Sequence, residues 1–162
     1  MGETERRGLW LVVLSLILAM FLTILPMPDG LDDFRPQWVT LTLIFWNLNK
    51  PDRIGVFWGF GTGLALDVIS GSLLGQQALG LSLVAYLVVK LHARIRLFPV
   101  WQQSVIVWVL LLTERLLTLW ILGATGQPMP ALNYWLPSFV GLLLWPWLSA
   151  LLTWIERQLR AD

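Results

Sequence analysis

Long apolar stretches, broken by short polar or proline- and glycine-containing intervals, run through the whole chain and are too continuous for soluble helices with one wet face. Six segments can be drawn, at residues 9–25, 36–48, 54–70, 78–89, 100–122 and 132–155. The first follows Glu3-Thr4-Glu5-Arg6-Arg7 and ends in Pro26-Met27-Pro28 with no small-x-small cleavage pattern, so it reads as a retained helix and not a signal peptide. The second opens at Pro36, a residue tolerated in a first helical turn, and like the fourth it is short for a bilayer, which takes about 20 residues. Short segments of this kind must be extended by their flanks or buried by neighbours. The fifth and sixth are long enough to cross with some tilt. The pattern predicts an all-α integral membrane protein, a bundle of six transmembrane helices forming one transmembrane domain over residues 1–162.

Composition sharpens that picture. Of 162 residues 57% are apolar and only 13% charged, against the roughly 25% charged of a soluble domain, and the mean hydropathy is +0.70. A soluble globular protein is excluded, and six spans leave no room for a separate aqueous catalytic domain. Eleven tryptophans suit helix packing and the headgroup region. Trp10, Trp46, Trp58, Trp101 and Trp154 are expected as anchors at one interface and Trp38, Trp120 and Trp135 at the other, while Trp108, Trp145 and Trp147 fall deeper. Trp145-Pro146-Trp147 is expected to kink the sixth helix, because proline removes a backbone hydrogen bond.

The position of the charges sets the orientation. Six alternating spans place Arg6, Arg7, Lys50, Arg53, Lys90, Arg94, Arg96, Arg157 and Arg160 on one side, with Arg35 alone on the other and Arg115 inside the fifth span. By the positive-inside rule both termini are cytoplasmic, and a five-span arrangement fits the charges less well.

Candidate chemistry is sparse. Without cysteine there is no disulfide, thiolate metal site or cysteine nucleophile. His92, the single histidine, lies between Lys90 and Arg94 and is expected in a solvated loop at the cytoplasmic edge. One histidine excludes a zincin-type site, and no phosphate-cradling loop with its lysine is present. No enzyme activity, cofactor or metal is expected. Three ionisable residues fall at membrane depth: Asp67, Glu114 and Arg115. Asp67 and Arg115 lie about 18 and 22 Å from the cytoplasmic end at a helical rise of about 1.5 Å per residue, so an ion pair between them is expected, with Glu114 as competitor or third member. A proton path is the sharper alternative, but no other span offers a second carboxylate at relay spacing. Gly55, Gly59 and Gly63 repeat every four residues and form a groove on one face of the third helix. Such a stripe packs a helix into its own bundle or receives the helix of a partner.

Taken in order, several motifs carry a resemblance over the whole chain. These are Arg35-Pro36-Gln37-Trp38-Val39, Gly63-Leu64-Ala65-Leu66-Asp67-Val68-Ile69-Ser70-Gly71-Ser72-Leu73-Leu74-Gly75, Tyr86-Leu87-Val88, Trp101-Gln102-Gln103 and Leu144-Trp145-Pro146-Trp147. The chain resembles the MreD family of bacterial rod shape-determining proteins, in its gammaproteobacterial form, and Asp-x-x-Ser-Gly-x-x-x-Gly is the most specific part. The resemblance implies a non-catalytic inner-membrane scaffold of the lateral cell-wall elongation machinery. The expected partner is MreC, a single-span periplasmic protein, with MreB, RodA and the elongation-specific penicillin-binding transpeptidase in the same assembly. Docking of the MreC helix is expected at the Gly55, Gly59, Gly63 face. The family is also similar in fold to the six-helix substrate-binding subunits of vitamin uptake transporters, which supplies a second expectation: a subunit binding a vitamin-like molecule or a lipid. Glu114-Arg115 maps onto no motif of the family.

Overall fold

In a computed structural model of the chain, residues 3–25, 37–71, 75–126, 128 and 132–161 are described. Six α-helices are found among them: α1 (Glu3–Ile24), α2 (Trp38–Asn49), α3 (Val56–Ser70), α4 (Gln76–Leu97), α5 (Val100–Ala124) and α6 (Leu136–Ala161), the last entered through a 3₁₀ turn at Leu132–Trp135. No strand occurs among the described residues. Four stretches, Arg6–Ile24, Gln76–Leu97, Val100–Ala124 and Leu136–Gln158, are long and apolar enough to cross a membrane on their own. The architecture is that of an all-α membrane protein.

The two short helices sit differently. In α2, every residue from Val39 to Leu48 is buried, so this helix is the core of the bundle, wrapped by α1, α4, α5 and α6. An apolar helix with no polar face is stable only where protein or lipid covers all of it, and here protein does. Around it, each long helix buries a single stripe: Val12, Leu16 and Ala19 on α1, Ser104, Val107, Leu111, Glu114 and Thr118 on α5, and Ser138, Gly141, Trp145 and Leu152 on α6. Three- and four-residue spacing keeps each set on one face, leaving the opposite faces apolar and exposed as lipid requires.

The closest pairing is α3 against α4. A Cβ at Gly59 would stand 2.8 Å from the Leu81 carbonyl oxygen, and one at Gly63 would run into the backbone of Ala78. The α3 helix ends at Gly71, whose φ of 71° is a left-handed closure, and α4 begins after Gly75 at φ 98°. At the other end of α4, Gln103 from α5 turns back and donates through Nε2 to the carbonyls of Ile95 (3.1 Å) and Phe98 (3.3 Å), capping acceptors that the helix leaves open.

Several boundaries differ from the segments expected. The fourth helix does not stop at Val89 but runs to Leu97, carrying Lys90, His92, Arg94 and Arg96 as helical residues. The fall in hydropathy marks the end of the apolar stretch, not of the helix, and cations in a last turn are favoured by the helix dipole. His92 is therefore not in a loop; its Nδ1 lies 2.6 Å from the Val89 carbonyl oxygen. The α6 helix likewise continues past residue 155, and passes through Pro146 without ending. Trp46 is no interface anchor: it is 0% exposed, edge-on to Phe45 at 5.0 Å, and donates from Nε1 to Ser15 Oγ at 2.7 Å. Trp147 is 76% exposed on the outer face of α6, while its neighbour Trp145 is 1% exposed.

The two ends of the bundle can be told apart by their contacts. A side chain at Gly8 would meet Lys50 Nζ, and Lys50 lies 3.8 Å from Glu156, so the start of α1, the end of α2 and the end of α6 share one end of the bundle. Gln37, Asp67, Gly75 and Glu114 lie toward the other.

Candidate functional site

At the end away from Lys50, the two intramembrane carboxylates are each met by donors, and by different ones. Asp67, buried in the last turn of α3, accepts the backbone N–H groups of Gly75 (2.8 Å), Gln77 (2.8 Å) and Ala78 (3.4 Å). It is a cap supplied by one helix to the next: the first N–H groups of α4 have no acceptor inside their own helix, and a carboxylate there also suits the positive end of the dipole. The expected ion pair between Asp67 and Arg115 is not formed. Close approach of α3 to the start of α4 brings open N–H donors to Asp67 in place of that cation. Arg115 instead lays its guanidinium over the Tyr134 ring, 4.6 Å from the centroid, and the Tyr134 hydroxyl donates to the Arg115 carbonyl at 3.0 Å.

Glu114 is the centre of a second, separate cluster. Gln37 Nε2 donates to its Oε2 at 2.6 Å and Thr40 Oγ1 at 2.8 Å, while Ser138 Oγ reaches Gln37 Oε1 at 3.4 Å. Four helices meet there, because Gly80 of α4 leaves the space that Glu114 fills: a Cβ at Gly80 would be 2.9 Å from Glu114 Cγ. Thr40, Gly80 and Ser138 are residues that sequence reasoning missed, and Gln37 entered it only within the Arg35 to Val39 motif. The usable signal is the pair Gln37 and Thr40, three apart at the start of an otherwise apolar helix and therefore on one face. Both clusters hold a carboxylate in place with neutral donors, which is how a buried charge is kept from costing more than it contributes. Among the described residues no group of three or more His, Cys, Asp or Glu side chains is placed to hold a metal ion.

The glycine stripe divides. Gly59 and Gly63 are buried against α4 and are not open to a partner helix, whereas Gly55 precedes α3 in extended conformation, where a Cβ would meet nothing within 4 Å. The face that remains open is one position round. Gly61 and Ala65 lie one turn apart on the far side of α3, and with Leu16 and Met20 of α1 and Trp58 they line a groove of ≈ 400 Å³ between the two helices. A Cβ at Gly61 would touch nothing within 4 Å. Of the motif residues, Ser70 and Gly71 are exposed at the end of α3, Gly75 opens α4, and Trp145 and Pro146 border a cavity at the opposite, basic end. Arg35 and Pro36 lie outside the described residues.

Comparison with known proteins agrees over this same length of chain. The family model described as rod shape-determining protein MreD matches residues 4–155. The rod shape-determining protein MreD of Haemophilus influenzae is 34% identical over 155 residues, covering 93% of this chain and 94% of that protein. No solved structure matches. A whole-length match to a family model, together with a whole-length relative at this identity, places the chain in the MreD family of rod shape-determining proteins.

Proposed function

We propose that this chain is a non-catalytic scaffold of the lateral cell-wall elongation complex in the bacterial inner membrane, with both termini in the cytoplasm, and that it acts by seating the transmembrane helix of MreC. MreB, RodA and the elongation-specific penicillin-binding transpeptidase belong to the same assembly in this reading. The observation that carries it is the groove between α1 and α3. Helices in lipid associate by close backbone approach and not by hydrophobicity, so a surface that admits another helix needs small residues facing outward. Gly61 and Ala65 provide them, in a recess that the sparse contact between α1 and α3 leaves open. The carboxylates are engaged in holding helices together, which supports a recognition role over bond chemistry.

The test is co-purification with MreC in detergent. Because a side chain at Gly61 meets nothing, Gly61→Leu fills the groove without disturbing the bundle. It is expected to lower MreC retention about tenfold, the effect of losing roughly 1.4 kcal/mol of helix packing, while the melting temperature of the isolated chain stays unchanged. Full retention by Gly61→Leu and by Ala65→Phe would remove the groove as the docking face.

A further inference from the structure

The basic end of the bundle holds a cavity of ≈ 560 Å³ walled by α2, α5 and α6, with the last turn of α4 at its rim. Its inner wall is apolar and aromatic, with Phe45, Trp145 and Pro146. Its charged lining residues are Arg96 from α4 and Arg157 from α6, and among the described residues no carboxylate lines it. Of the acids at this end, Glu156 lies 3.8 Å from Lys50, and neither it nor Asp52 lines the cavity. Two guanidinium groups brought to one cavity from separate helices give it a positive potential that attracts an anion. Two further features point the same way. Trp145, buried and bordering the cavity, has an indole N–H with no hydrogen-bond partner among the described residues, a donor left open in a place where donors are normally satisfied. The first turn of α5 borders the cavity at Val100, so the positive end of that helix faces it.

We propose that this cavity binds the phosphate-ester headgroup of an anionic membrane lipid, with Arg96 and Arg157 on the phosphate and the apolar wall against the first carbons of the lipid chains. A phosphate ester satisfies the two cations, its chains cover the aromatic wall, and its volume class fits the space. An inorganic phosphate ion would engage the same cations but leave the aromatic wall facing water. The site lies at the end of the bundle away from both carboxylate clusters and shares no lining residue with the groove between α1 and α3, so it stands independently of MreC docking.

Native mass spectrometry and thermal denaturation of the full chain in neutral detergent, titrated with phosphatidylglycerol, phosphatidylcholine or inorganic phosphate, test the assignment. Phosphatidylglycerol is expected to be retained about tenfold more tightly than phosphatidylcholine, and to raise the melting temperature where inorganic phosphate does not. The double variant Arg96→Gln, Arg157→Gln is expected to lose that preference, while Lys90→Gln with Arg94→Gln, which removes two cations of α4 that do not line the cavity, is expected to keep it. Ala150→Trp fills the cavity with both arginines in place and is expected to lose the preference too; it decides the matter if the arginine variant does not fold. Equal binding of the two lipids, equal loss in the Lys90 and Arg94 variant, or stabilisation by inorganic phosphate as strong as by the lipid would overturn the proposal.

Discussion

A carboxylate inside a bundle is tolerated when its oxygens meet donors that cannot turn to water, and Asp67 and Glu114 reach that condition by opposite routes. Asp67 uses backbone groups. Removing its oxygens leaves N–H groups of Gly75, Gln77 and Ala78 without that acceptor, so Asp67→Ala is expected to lower stability by about 3 kcal/mol, with Asp67→Asn keeping part of it, as read by thermal denaturation in detergent. Glu114 uses side chains and depends on an absence. Gly80→Ala pushes a carbon against Glu114 Cγ and is expected to cost about 1–3 kcal/mol in the native chain but less than half of that when Glu114→Ala is already present. Additive losses across that double-mutant cycle would show that Gly80 matters for some other reason. The amino-acid pattern marks Asp67, Glu114 and Arg115 as unusual, since charges at membrane depth are rare. It does not mark their partners. Pairing by opposite sign was the natural expectation, but the donors that reach Asp67 are backbone groups, which nearly every residue carries and no sequence pattern distinguishes.

At the scale of the helix, the apolar runs located six elements, and their ends were the less legible part. The α4 helix outlasts its apolar stretch by about two turns because helices continue readily beyond the membrane boundary. The complete burial of α2 was only half visible: its shortness required cover, but which neighbours supply it depends on packing between distant parts of the chain. Glycine spacing behaved similarly, for it showed that α3 has a close-approach face without showing which glycines use it. The outcome separates two neighbouring positions. Gly63→Ala, which drives a methyl group into the backbone of Ala78, is expected to abolish the folded species in size-exclusion chromatography. Gly61→Ala is expected to change stability, read by thermal denaturation, by no more than an ordinary surface substitution does, about 0.5 kcal/mol.

For the whole molecule, the sharing of one end by the beginning of α1 and the end of α6 ties these two segments to the same side of the membrane, and the basic residues at that end favour the cytoplasm. A fluorescent protein fused to the C-terminus is expected to fluoresce, and alkaline phosphatase inserted after Gly126 is expected to be active; the reverse result would invert the orientation. The enclosure of α2 carries a consequence for how the protein is made. This helix emerges from the ribosome before α3, α4 and α5, yet one wall of its sheath is α6, which comes after them. Until then Phe45 lacks its contact with Trp145, and Gln37 lacks Ser138. Closure of this core thus waits for α6, and chains cut short before it would present the cell with an unfinished core, a ready target for membrane proteolysis.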